Sequence, residues 1–158
     1  MSNGSGLYAL ERSLIAASAV ATAIGLGLIA ELTRGTAGFV PAKVGASLFK
    51  FGAFLIVVVE VASAGAGAIP GQRALIIGYV VLAFLGQAGT GWGLIGGLGL
   101  RVIGWLTVVF NLGLLIALLI FSPHDMYFPV AHVLMPAVIA IALLVRTRLR
   151  HNRDISVR

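Results

Sequence analysis

The chain has 158 residues, of which 59% are hydrophobic and 10% are charged, and its mean hydropathy is +1.07. Soluble domains carry about 25% charged residues, so this composition excludes an ordinary globular protein and predicts an integral membrane protein. The formal charge of +6 does not indicate a nucleic-acid-binding protein, because five of the eleven basic residues follow Val145, at the edge of the last apolar segment.

Five apolar segments follow one another along the chain, each close to the roughly 20 residues that a helix needs to cross a bilayer. We therefore predict an all-α bundle of five transmembrane helices in a single domain. The predicted spans are residues 14–32, 46–68, 74–98, 102–121 and 129–145, followed by a basic tail at 146–158. The first segment is longer than a signal-peptide core, which favours a retained span over cleavage near residues 21–23.

The third segment is the least regular, because a glycine-rich run occupies residues 86–100. We favour one continuous span, and the alternative is a bundle of four spans plus a re-entrant segment after Ala88. Glycines recur four residues apart at Gly89, Gly93 and Gly97, a spacing that favours close helix packing. A cofactor lying against the exposed backbone is a second interpretation. A phosphate-binding loop is not indicated, since no predicted strand and no suitably placed lysine accompany the glycines.

The distribution of basic residues predicts the orientation of the bundle. With five spans and an internal C-terminus, two basic residues, Arg12 and Arg73, lie outside. The others lie on the cytoplasmic side: Arg34, Lys43, Lys50, Arg101, Arg146, Arg148, Arg150, Arg153 and Arg158. By the positive-inside rule this asymmetry favours N-out, C-in, and we expect a prokaryotic inner (plasma) membrane.

Glu60 is the carboxylate inside the second apolar segment, and an ionisable side chain within a membrane span is costly and often functional. When each predicted span is halved, Thr22, Gln87 and Asn111 fall near the same depth as Glu60. The four side chains therefore predict a polar layer at the middle of the membrane. Such a layer can join the helices by hydrogen bonds. It can instead act as a proton or ion relay, or form a pocket for a ligand. Glu60 can also face a basic residue of a partner subunit.

Two further groups of residues are candidate binding sites. His124, Asp125 and His132 cluster near the predicted outer face and are weak candidates for a metal site, since their spacing matches no defined motif. The tail arginines are expected to bind anionic lipid headgroups or to dock on an acidic partner: Arg146, Arg148, Arg150 and Arg153. The sequence does not identify a cofactor, which stays unknown.

Three functions are compatible with these features. The leading hypothesis is a structural or accessory subunit that packs in a larger membrane complex or against copies of itself, because the loops are short and catalytic motifs are missing. The alternative is a small transporter or channel that uses Glu60, Gln87 and Asn111. A membrane enzyme or cofactor carrier that uses His124 and His132 is the third, and we do not expect enzymatic activity from this chain alone.

Overall fold

The computed structural model describes residues 3–66, 70–121 and 129–156. Within these ranges the chain is all-helical and contains no strand. The helices are α1 (Asn3–Leu32), α2 (Phe39–Ala66), α3 (Gln72–Gly97), α4 (Arg101–Phe121) and α5 (Pro129–Ser156). Among the described residues, α1 to α4 are long and apolar enough to cross a membrane, as expected of an integral membrane protein.

The second helix begins at Phe39, earlier than the predicted start near residue 46. Pro41 lies in the first turn of α2, where its missing N–H costs no helical hydrogen bond. The preceding turn is closed by Thr36, whose Oγ1 accepts a hydrogen bond from the Gly38 amide at 3.2 Å. Because α2 begins at Phe39, its middle lies closer to Gly52 than to Glu60.

The glycine-rich run is helical from Gly86 to Gly97 and continues α3 without a break. The continuous helix that the sequence favours is therefore present, and the structure contains no re-entrant segment at these residues. The helix stops at Gly97, and Gly99 then adopts a left-handed φ of 66° that reverses the chain into α4.

Consecutive helices pack against each other: α1 on α2, α2 on α3 and α3 on α4, while α5 contacts α1, α3 and α4. The α2–α3 interface is very close, because a methyl group added at Gly45 would lie 2.5 Å from the Gly86 carbonyl oxygen. Larger residues such as Phe49, Ile56 and Phe84 are fully buried in the core beside it. Small residues at a contact between membrane helices permit the α2 and α3 backbones to come this close.

One end of the bundle carries most of the described positive charge, and we call it the basic end. It contains the α1–α2 and α3–α4 turns, with Arg34 and Lys43 near the first and Arg101 at the second. Arg12 and Arg73 lie toward the opposite end, near the start of α1 and of α3. Between the two ends the exposed helix faces are mainly apolar, as lipid contact requires, and Lys50 of α2 is an exposed charged exception.

Candidate functional site

Glu60 forms an ion pair with Arg12 across the α1–α2 interface. Arg12 Nη1 lies 2.9 Å from Glu60 Oε2 and 3.2 Å from Oε1. The Glu60 side chain is 2% exposed and that of Arg12 is 24% exposed, so the carboxylate is buried while part of the arginine reaches the surface. Tyr79 of α3 is also buried, within electrostatic range of Glu60. The pair ties α1 to α2 near the end opposite the basic end.

The structure separates Glu60 from the other three residues of the predicted midplane layer. At a rise of ~1.5 Å per residue, Glu60 lies about 30 Å along α2 from Phe39, and Arg12 lies a similar distance from Leu32. Thr22, Gln87 and Asn111 each lie only about 15 Å from the basic end of their helices. The level of Glu60 along the bundle differs from that of the other three residues because α2 begins earlier than predicted.

The three remaining polar residues do not form one continuous network. Gln87 and Asn111 are fully buried on α3 and α4. The Asn111 amide donates to the Thr107 carbonyl of its own helix at 2.7 Å, whereas its Oδ1 atom is buried without a hydrogen bond. Thr22 instead lines a cleft of about 390 Å³ between α1 and α5, together with Pro136 and Leu143.

The glycines singled out from the sequence lie against α2 and the turn before it. A methyl group would approach Gly45 Cα to 2.9 Å if added at Gly89, and Ala42 Cβ to 2.5 Å if added at Gly93. At Gly97 the nearest atoms are Thr33 Cγ2 and Thr36 Oγ1, each at 2.8 Å. All three positions are therefore occupied by neighbouring protein atoms, which leaves no room there for a cofactor against the backbone.

The basic end contains a second group of charged residues. Glu31 at the end of α1 forms ion pairs with Arg34 and, at 3.1 Å, with Lys43 of α2. The guanidinium of Arg34 and the ammonium of Lys43 each lie 5.8 Å from the centre of the Phe39 ring. Unlike the Arg12–Glu60 pair, this group is exposed, since the Glu31 side chain is 41% accessible.

The tail candidates lie on the last helix. Arg146 donates a hydrogen bond to the Leu98 carbonyl, which joins α5 to the end of α3. Arg148 is exposed, and Arg150 and Arg153 lie further along α5. Of the metal candidates, His124 and Asp125 lie outside the described residues, and His132 lies in the first turn of α5.

The partner of Glu60 was not identified from the sequence, although a usable signal exists. Arg12 and Glu60 lie at similar distances from the short turn that joins their two helices, so an antiparallel hairpin brings them to the same height. The signal depends on where α2 begins. If α2 is taken to begin near residue 46, Glu60 lies closer than Arg12 to the turn between the two helices, and the pairing is not predicted.

Comparison of this chain with family models, with curated proteins and with solved structures gives no match.

Proposed function

We propose that this protein is a structural or accessory transmembrane subunit that packs in a larger membrane complex or against copies of itself. The observation that carries the proposal is the ion pair between Arg12 and Glu60. A carboxylate held at 2.9 Å by a guanidinium of the same chain is engaged in fixing two helices together. It is thereby less available as a proton relay or as a ligand for a transported cation.

The surface of the bundle supports the same proposal. An open apolar groove of about 560 Å³ runs between α2, α3 and α4 near the basic end. Its walls include Pro41, Val44, Trp92 and Leu112. Such a groove suits the side chains of another transmembrane helix, whether from a different subunit or from a second copy.

The proposal includes five spans with the N-terminus outside and the C-terminus inside. The basic end, with Arg34, Lys43 and Arg101, then faces the cytoplasm, as does Arg146 on α5. α5 begins with an apolar stretch and is counted as the fifth span in this proposal. We assign the protein to the plasma membrane of a prokaryote, where the arginines after Val145 would lie in the cytoplasm.

The test is gentle solubilisation of native membranes that carry a tagged copy, followed by native electrophoresis and mass spectrometry of the band. Migration in a large assembly with stoichiometric partners, or as a defined homo-oligomer, is the expected result. A stable monomer with an activity of its own would overturn the proposal.

A second candidate function, transport of a small polar solute or ion, is favoured by one observation. Asn111 Oδ1 is fully buried and lacks a hydrogen bond in the structure, and buried polar atoms normally have partners. A pathway past Asn111 and Gln87 would supply a water or solute there. Flux through liposomes containing the wild type, compared with Asn111→Leu and with Glu60→Gln, tests this candidate. Equal flux in liposomes with and without the wild-type protein removes it.

A further inference from the structure

Lys50 occupies an unusual position on α2. It follows Lys43 by two helical turns and therefore lies about 10 Å deeper in the bundle than the charged residues of the basic end. Its side chain is exposed, and none of the described residues gives it an ion pair or a hydrogen bond. An ammonium group at this depth is costly in hydrocarbon unless an anion or water reaches it.

The neighbouring helix is shaped to receive this side chain. Lys50 Nζ and Cε lie 3.3 and 3.4 Å from the position that a Cβ atom of Gly27 would occupy. The absence of a side chain at Gly27 therefore leaves space for the lysine stem against α1. Side chains on a helix lean toward its N-terminus, so the ammonium group points toward the basic end.

Lys50 lies in an open groove of about 290 Å³ between α1 and α2. The polar groups in its walls are Ser47 and Lys43 of α2 and Glu31 of α1. Glu31 is already paired with Arg34 and Lys43, so the charge of Lys50 is left uncompensated and the groove favours an anion.

The exposed face of α2 changes character just beyond the groove. Steps of three and four residues lead from Lys43 through Ser47 and Lys50 to Phe51 and Phe54. Both phenylalanines are 63% exposed. A polar half next to the basic end and an apolar half toward the middle of the membrane match the two parts of a lipid molecule.

We propose that this groove binds an anionic phospholipid, with the phosphate between Lys50, Ser47 and Lys43 and the acyl chains along Phe51 and Phe54. The lipid belongs to the leaflet at the basic end, whichever side of the membrane that is. The inference does not depend on the proposed accessory function. It differs from headgroup binding by the arginine tail, because the ligand here is drawn in between two helices.

The experiment is native mass spectrometry of the purified protein offered equimolar phosphatidylglycerol and phosphatidylcholine with identical chains. The wild type should retain phosphatidylglycerol preferentially. Lys50→Gln should reduce that preference about fivefold, as expected for one cation near a membrane surface, and Lys50→Arg should preserve it. Arg101→Gln is the matched control, since it removes an exposed cation from the basic end on α4 and should leave the preference unchanged.

Three results of this binding experiment would overturn the proposal. The first is an unchanged preference in Lys50→Gln, and the second is an equal loss in Arg101→Gln, which would indicate a general effect of charge. Displacement of the lipid by millimolar inorganic phosphate would indicate a site for the free anion. A photo-crosslinker at position 51 in native membranes leaves Lys50 in place and adds an independent readout: a lipid adduct supports the proposal, and an adduct to another polypeptide chain contradicts it.

Discussion

A single nitrogen of Arg12, Nη1, contacts both carboxylate oxygens of Glu60, at 3.2 and 2.9 Å. The arginine approaches the carboxylate end-on, with 24% of its side chain exposed while Glu60 is enclosed. Removal of Arg12 and removal of Glu60 therefore do not cost the same free energy of unfolding. This asymmetry leads to the first prediction.

Arg12→Gln should destabilise the bundle more than Glu60→Gln. Removing the arginine leaves a buried carboxylate without its cation, which costs roughly 3–5 kcal/mol. Removing the carboxylate leaves an arginine that can turn to the surface, so the loss should be smaller. The free energy of unfolding in mixed micelles measures both effects, and the double variant should recover part of the Arg12→Gln loss. Equal losses in the two single variants would contradict this account.

Gly45→Ala should destabilise the protein by forcing α2 and α3 apart. The added methyl group would lie 2.5 Å from the Gly86 carbonyl oxygen, which is backbone and cannot turn away. Overpacking of this kind costs about 1–3 kcal/mol. The control is Gly113→Ala on α4, where no heavy atom lies within 4 Å of the added methyl group. The midpoint of thermal denaturation should fall in the first variant and not in the second.

Asn111→Leu should leave stability unchanged or raise it if the residue is purely structural. Its Oδ1 atom is buried without a hydrogen bond, and the Thr107 carbonyl that accepts from its amide also serves the α4 helix. Replacing such a group by an apolar side chain of similar volume is close to neutral. A marked loss of stability would show that Asn111 has a polar partner, such as a bound water.

Glu31→Gln should leave the unfolding midpoint unchanged, in contrast to substitutions at the Arg12–Glu60 pair. Glu31 is exposed and pairs with Arg34 and Lys43 at the end of the bundle, where water and salt screen the interaction. Parallel melts of Glu31→Gln and Arg12→Gln in the same detergent make the comparison. A larger shift for Glu31→Gln would reverse the ranking of the two charged sites.

The helical class and the membrane-spanning segments follow from composition and from the length of the apolar runs. The predicted starts are less accurate where an amphiphilic stretch begins a helix: Lys43 and Pro41 read as loop residues in sequence, yet both belong to α2. That error moved the centre of α2 and placed Glu60 beside Gln87 and Asn111. Hydropathy gives the depth of a charge only as well as it gives the ends of its helix.

Contacts between helices were less accessible from sequence than the helices themselves. The four-residue spacing of Gly89, Gly93 and Gly97 indicated close packing without identifying α2 as the neighbour. The pairing of Lys50 with the space beside Gly27 required the relative height of two helices, which a single sequence does not contain. The relative height of two helices decides which side chains meet across their interface.

The pairwise packing of α1 on α2, α2 on α3 and α3 on α4 has a consequence for assembly of the protein. For α1 to α4 the main neighbour of each helix is adjacent to it in sequence, so this part of the bundle can grow in the order of translation. The closely fitted α2–α3 hairpin can form before α4 and α5 have been synthesised. A ribosome-bound chain from which α3 has emerged should already hold α1 against α2 through the Arg12–Glu60 pair.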